Sequence, residues 1–398
     1  MAYSSITEWV KFTDNPALNN PFSPYQGASD GNLVYSFGYW IWELLGGAIA
    51  WLINLIFPGN GLSTWLLSSE VSNFFGIALM VVLIFAIGFI VNLTMIWEER
   101  KILGRMMDRR ATRIGPLGYI QCLADGLKTF LKENIMPSKA DKKGYMWALS
   151  LVIGTSVILA CMIPLSQRWF IVDYGTGLLI LFGLFAIAPF MILVAGWSQN
   201  NKYALIGGMR AAVGLVSYEV PILLIFASVV LMAGDFSIGS IIDAQANSTW
   251  YILPQFIGFI VFMVAAVAES ERIPFDLPEA EAELVEGWQT EYSGMKWGLI
   301  MLADYFRGYS VCAFVVILFL GGWYLPFIGP EQLGWLPEAV FLLKVFLVFF
   351  IFAWIRAAHC RVRTDQILNI GWKVLLPLAV LNLAIVIAIK MMGGLGIW

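Results

Sequence analysis

The chain has 398 residues, of which 60% are hydrophobic and only 13% charged, with a net charge of −3 and a mean hydropathy of +0.78. A water-soluble domain carries about 25% charged residues and cannot hide this much apolar surface, so lipid must solvate the excess. The small negative charge and a pI near 5.4 offer nothing to a nucleic acid, and a single histidine excludes a haem held by two histidines of this chain.

Residues 1–37 are polar and aromatic, rich in Pro, Asn, Ser and Gly, and predict irregular structure. They lack the basic start and immediate apolar core of a signal peptide. The run 38–57 is long enough to span a bilayer but carries Trp40, Trp42, Trp51 and Glu43. Tryptophan favours the interface, so it predicts an extra helix at the edge of a bundle, either crossing or lying flat. Residues 1–72 thus form an N-terminal extension.

The membrane domain follows at 73–398. A hydrocarbon core about 30 Å thick needs about 20 apolar residues in a helix. Eight stretches qualify: 73–97, 145–166, 176–197, 209–233, 252–269, 296–323, 337–356 and 373–393. The predicted fold class is therefore an all-α polytopic membrane protein with eight core helices and one additional N-terminal apolar helix.

Charge asymmetry orients the bundle. The stretch between the first two helices holds Arg100, Lys101, Arg105, Arg109, Arg110, Arg113, Lys128, Lys132, Lys139, Lys142 and Lys143. Lys202, Arg272, Lys296, Arg361 and Arg363 fall in alternate connections on the same side, whereas 234–251 and 324–336 contain no Lys or Arg. Lys and Arg mark the cytoplasmic side, so the informative loops 98–144, 198–208, 270–295 and 357–372 face the cytoplasm. Loop 98–144 is longer than a connection requires. Its Ile120, Leu123, Leu127, Phe130 and Leu131 recur at helical spacing and predict an amphipathic helix.

Charges inside the membrane need a reason, because each costs about 2.5–3.5 kcal/mol at the centre on insertion scales. Arg210 opens the predicted fourth helix. Glu219, nine residues on, lies ~13 Å deeper at 1.5 Å per residue. Pro221 beside it frees a backbone carbonyl. Asp304 and Arg307 are spaced i, i+3 and can pair. Lys344 interrupts the seventh helix, and the bland reading gives it a neighbour to pair with. Glu269 ends the fifth.

The segment 268–294, AESERIPFDLPEAEAELVEGWQTEYSG, is dense in acids. Asp276, Pro278 and Glu279 resemble a capping-box start. A helix from there places Glu279, Glu283 and Glu286 on one face. Aromatic and apolar residues threaded between the acids (Phe275, Leu284, Val285, Trp288, Tyr292) argue against a freely solvated loop. Partly desolvated carboxylates in a cluster repel one another, so some take up protons near neutral pH. The result is a line of acids: Glu291, Glu283, Glu281 and Glu279 in the loop, then Glu269, then Glu219 and Asp304 in the membrane. The cysteines, Cys122, Cys161, Cys312 and Cys360, lack metal-ligand spacing, so no metal site is expected. His359, between Arg356 and Arg361, reads as a surface residue.

At these residues the chain resembles the H-type subunit of NADH–quinone oxidoreductase, the counterpart of mitochondrial complex I subunit one. The resemblance covers about 73–393 and rests on WEERKILGRM at 97–106, GPLGYIQCLADGLKTFLKE at 115–133, GWSQNNKYALIGGMRAAVGLVSYEV at 196–220, the acidic segment, and WIRAAHCRVRTDQ at 354–366. It implies a chamber for a quinone substrate, matched by Glu99, Arg100, Asp125, Lys128, Arg272, Asp276 and Arg356. It also implies an acidic coupling path through Glu219, Glu269, Glu279, Glu281, Glu283, Glu291 and Asp304, with Arg210 beside it. The family usually has Glu where Asp304 stands, so the carboxylate here has a shorter arm. The implied partners are a soluble iron–sulfur subunit on the cytoplasmic face, small membrane subunits and antiporter-like subunits in the cell membrane. No metal or flavin is implied for this chain. Two features depart from the family: DRRATRIGP at 108–116 and the extension 1–72, which suggest a divergent bacterial or archaeal lineage. Archaeal relatives of the superfamily use reduced deazaflavin or ferredoxin as donor, and membrane-bound hydrogenases carry a homologous subunit. A secondary transporter, the rival from another class, predicts inverted repeats that the sequence does not display.

Overall fold

The computed structural model describes residues 41, 45, 69–167, 169, 175–278, 280–325 and 336–393. Among these the regular elements are helical, with a lone extended bridge between Ser166 and Trp169. The apolar run 38–57, apart from Ile41 and Leu45, lies outside the described residues, as does Glu279.

The helices in chain order are α1 Ser69–Met106, α2 Ile120–Leu131, α3 Lys142–Met162, α4 Gly177–Phe185, α5 Ile187–Ser198, α6 Lys202–Ala233, α7 Ile238–Asn247, α8 Phe256–Glu269, α9 Glu281–Leu284, α10 Met295–Phe319, α11 Leu336–Ala358, α12 Thr364–Asn369 and α13 Leu376–Gly393. Two compact units result: residues 1–89 with 164–172, and residues 90–163 with 173–398. In the first, the chain is helical from Ser69, and Leu165 N donates to Trp169 O at 3.0 Å. The second carries the end of α1 and the other helices.

Among the described residues, seven helical stretches are long and apolar enough to cross a membrane. α4 and α5 count as one of these, and α12 to α13 as another. The chain is an all-α polytopic membrane protein. The expected fifth span, 252–269, forms the 14-residue α8, ~21 Å long at 1.5 Å per residue.

Four departures from the expected elements have local causes. The span 176–197 breaks at Ala186, where Pro189 has no N–H to offer the Phe185 carbonyl four residues back. The expected loop 198–208 is mostly the start of α6, because the Asn201 carboxamide accepts from Tyr203 N at 3.1 Å and caps the helix at Lys202. Loop 357–372 holds α12 and a π-helical stretch, Ile370–Leu375. The first span continues to Met106, so Glu99 and Arg100 stand on α1 rather than in a loop.

α10 is the centre of this unit: every residue from Tyr305 to Phe319 is buried. A helix apolar all round must be enclosed by others, and α3, α8 and α11 pack on it. Its C-terminal end is capped by a lysine from α11. Lys344 Nζ donates to the carbonyls of Leu320, Gly322 and Tyr324 at 2.7, 2.9 and 2.5 Å. The charge in the seventh apolar helix therefore serves the carbonyls of the C-cap residue Leu320 and of the turn that follows α10.

α6 crosses beside α12 and α13. Pro221 lies buried within it and cannot bond the Ser217 carbonyl. The π-helical stretch closes on that point: a Cβ on Gly371 would meet Ser217 O at 3.1 Å. Trp372 Nε1 donates to Ser217 Oγ at 3.1 Å, and Tyr218 OH to Ile367 O at 3.0 Å.

Candidate functional site

The site is built around Glu99, near the end of α1, only 3% exposed. Arg272, in the loop after α8, places Nη1 2.9 Å from both carboxylate oxygens. Arg356, in the last turn of α11, donates to Oε1. Tyr305 OH of α10 donates to Oε2 at 2.8 Å. Arg272 also lies over the Tyr305 ring, 4.4 Å from its centroid. Four distant segments thus meet on one carboxylate, and the two guanidiniums leave the group with an excess positive charge.

Burial on its own pulls the Arg272 pKa down. The Glu99 charge and Tyr305 beside it more than reverse this and hold the guanidinium above its ordinary value, so it stays charged.

The loop after α8 is pinned next to this group. Val362 N donates to Pro274 O at 3.0 Å. Arg361 reaches Asp276 Oδ2 at 3.3 Å, while Asp276 Oδ1 has no partner among the described residues. Burial pushes the Asp276 carboxyl up, against the pull of Arg361, Arg356 and Arg272. The capping box expected at Asp276–Glu279 is not formed: this carboxylate is engaged by an arginine far along the chain, and the first helical residue is Glu281, after Ala280. α9 then ends at Leu284, because Val285 takes a positive φ of 67°. Of the expected face Glu279, Glu283 and Glu286, the last lies beyond the end of α9, so Glu283 and Glu286 share no helix, and Glu279 is outside the described residues.

Arg100 and Asp125 form an ion pair that ties α1 to α2. Both side chains are nearly half exposed, so the pair orients more than it stabilises. Trp97 Nε1 donates to Leu117 O at 3.0 Å and Lys101 Nζ to Thr112 O at 3.0 Å, fixing the connection. The amphipathic helix α2 was legible in the spacing, and its apolar side chains Ile120, Leu123, Leu127, Phe130 and Leu131 are exposed. Lys128 is exposed on the same helix.

The membrane acids gather at Arg307 of α10. Its Nη2 lies 3.6 Å from Glu269 Oε1, and Glu269 is 1% exposed with Oε2 unpartnered. The Asp304–Arg307 pair expected from i, i+3 spacing is not formed. The end of α8 brings Glu269 inward against the guanidinium, and Asp304 has the shorter arm. The charge of Arg307 still acts on Glu219, Asp304 and Glu271. Glu219, half-buried on α6, makes no hydrogen bond or ion pair with a described residue.

The remaining acids lie apart from this group. Arg210 pairs with Glu283 at 2.7 Å, both partly exposed. Glu291 Oε1 accepts from Asn201 Nδ2 at 2.8 Å, beside a cavity also lined by Lys139 and Lys202. The turn Gly287–Gln289 packs so closely on α6 that a Cβ at Gly207 would meet Gly287 Cα at 2.6 Å. Glu281 opens α9. His359 is exposed, with Nδ1 3.2 Å from Ile355 O. Among the described residues no three His, Cys, Asp or Glu side chains could hold a metal ion together.

Sequence reasoning missed Tyr305, Arg361 and Glu271 as members of the site. Glu271 is 9% exposed, with a positive φ of 49° and Oε1 unpartnered. Burial pushes its carboxyl up to about 7; Arg307 opposes the rise, and Asp304 and Asp276 add to it. An acid between Glu269 and Arg272, in a segment flanked by apolar residues, was the available signal.

Residues 77–387 match the family model described as NADH dehydrogenase. The chain is 40% identical over 329 residues to the H-type subunit of NADH-quinone oxidoreductase from Geobacillus thermodenitrificans (strain NG80-2), covering 81% of this chain and 96% of that one. It is 42% identical over 326 residues to the proteins of the same name from Bacillus thuringiensis (strain Al Hakam) and Bacillus cereus (strain AH187), covering 80% of this chain and 94% of each relative. Similarity at this level, running almost the full length of the relatives, means that the chain belongs to the family of H-type subunits of NADH-quinone oxidoreductase.

Proposed function

We propose that this chain is the quinone-facing membrane subunit of a proton-translocating NADH:quinone oxidoreductase in the cell membrane. It holds the quinone but carries no redox centre of its own. The electrons arrive from an iron–sulfur cluster on a soluble partner seated over α2 and the loop after α8. Small and antiporter-like membrane subunits complete the pump.

The observation that carries the reading is the convergence of Arg272, Arg356 and Tyr305 on Glu99, joined through one short loop to the acids around Arg307. A positive, hydrogen-bonding group suits a headgroup that becomes anionic on reduction. A new anion there raises the proton affinity of neighbouring carboxylates, Asp276 and Glu271 first, then Asp304, Glu269 and Glu219. In this way a redox event becomes a shift of protons along the acids. The loop acids Glu281, Glu283 and Glu291, apart from this group in the fold, together with Glu279, which lies outside the described residues, are the proposed outer members of the path.

Arg356→Ala in the intact complex tests the reading. Quinone reductase activity should fall, while electron transfer from the donor to an artificial water-soluble acceptor continues. Equal loss of both activities points to failed assembly and contradicts the assignment of Arg356 to the quinone chamber.

A further inference from the structure

Glu271 lines a cavity of about 280 Å³ between the N-terminal half of α6, the loop after α8, and α12. Its walls include Arg210, Gly214, Tyr218, Phe275 and Thr364. Most of the lining is apolar, and an apolar hollow stays dry. Here Glu271, Arg210 and Thr364 supply polar partners, and the volume admits several waters. On its other side Glu271 faces the acids. Asp304 and Arg307 act on it from α10 and Asp276 from its own loop, while its charge acts on Glu269 at the end of α8. It therefore stands between the cavity and the row.

We infer that Glu271 is a proton-exchange group: it takes protons from water in this cavity and passes them to the acid row at Asp304 and Asp276. The inference rests on the function proposed above and adds its point of proton entry. In each step a proton leaves a hydronium in the cavity for the Glu271 carboxylate. It then moves to a neighbouring carboxylate, returning Glu271 to its anion. Oε1 is buried and has no partner among the described residues, so a proton held on Glu271 satisfies an otherwise orphaned oxygen, and a pKa of about 7 lets both forms be populated. The positive φ at Glu271 is a backbone state an L-residue rarely holds without compensation.

The test uses three variants of the full chain in the intact complex, reconstituted into vesicles: Glu271→Gln, Glu271→Asp and Gly214→Leu. Gly214 lines the cavity, and a Cβ there meets nothing within 4 Å, so leucine fills the hollow without a clash at its root. The readouts are protons pumped per quinone reduced, and the pH profile of turnover. Glu271→Gln and Gly214→Leu should each lower the ratio, and Glu271→Gln should lose the inflection near pH 7. Glu271→Asp should restore both. A wild-type ratio and profile in Glu271→Gln overturns the inference. So does a loss in Glu271→Gln that Glu271→Asp does not repair, which makes the residue structural. Normal pumping in Gly214→Leu overturns the cavity as the route. If Arg356→Ala abolishes quinone reduction while these variants pump normally, only this inference fails. If Arg356→Ala has no effect on quinone reduction, the proposed chamber fails.

Discussion

Arg272 bridges Glu99 with a single nitrogen, 2.9 Å from each carboxylate oxygen, across a sequence separation of 173 residues. The contact ties the end of α1 to the loop after α8, and Tyr305 of α10 shares it. Removing one partner of a buried ion pair costs about 3–5 kcal/mol, because the other charge is left behind. Arg272→Ala should therefore lower the apparent Tm of the detergent-solubilised chain by more than Arg100→Ala, whose pair is half exposed. Equal shifts for the two contradict a central role for Glu99.

Arg109, Arg110 and Arg113 are exposed in the chain, and so is the apolar face of α2. Exposed apolar residues rimmed by basic ones suit an interface. Trypsin should cut at these arginines in the isolated chain and spare them in the intact complex. Ready cleavage in the complex contradicts a soluble partner seated there.

Much of this architecture is legible in the amino-acid sequence. The apolar runs mark the helices, and the i, i+3, i+4 spacing at Ile120–Leu131 marks α2. Periodicity reports one element at a time, and the failures come where distant elements compete. Asp276 reads as a helix cap, but Arg361 takes its carboxylate. Arg307 reads as the partner of Asp304, its near neighbour in sequence, but Glu269 is nearer in space. The resemblance singles out Glu99, Arg272 and Arg356 one by one, but that both guanidiniums and the Tyr305 hydroxyl share the Glu99 carboxylate appears only in three dimensions. The break at Ala186 is foreshadowed by Pro189 and its missing N–H.

Burial moves Glu271 from an ordinary 4.5 up to about 7 in the fold. A carboxyl with a raised folded pKa binds its proton more tightly when folded. Its contribution to stability is fully present below the unfolded pKa and is lost as pH rises to the folded value. The loss falls between about pH 4.5 and 7 and is on the order of 3 kcal/mol. Glu271→Gln removes it, so the Tm of this variant relative to wild type should be higher at pH 8 than at pH 5. A difference independent of pH contradicts a buried, titrating Glu271.

Glu219 tests the coupling of the membrane acids most directly. It lies half-buried on α6, without a hydrogen bond or ion pair to any described residue, and within the field of Arg307. An acid at such a depth is costly unless it binds a proton or lines water, and both make a relay. Gln keeps its shape but carries no proton; Asp keeps the proton on a shorter arm. The measurement is protons pumped per quinone reduced in vesicles holding Glu219→Gln or Glu219→Asp at equal assembly. Loss of pumping in Glu219→Gln with partial recovery in Glu219→Asp is the expected result. Wild-type pumping and quinone reduction in Glu219→Gln would contradict the coupling role and leave the acid a structural part of α6.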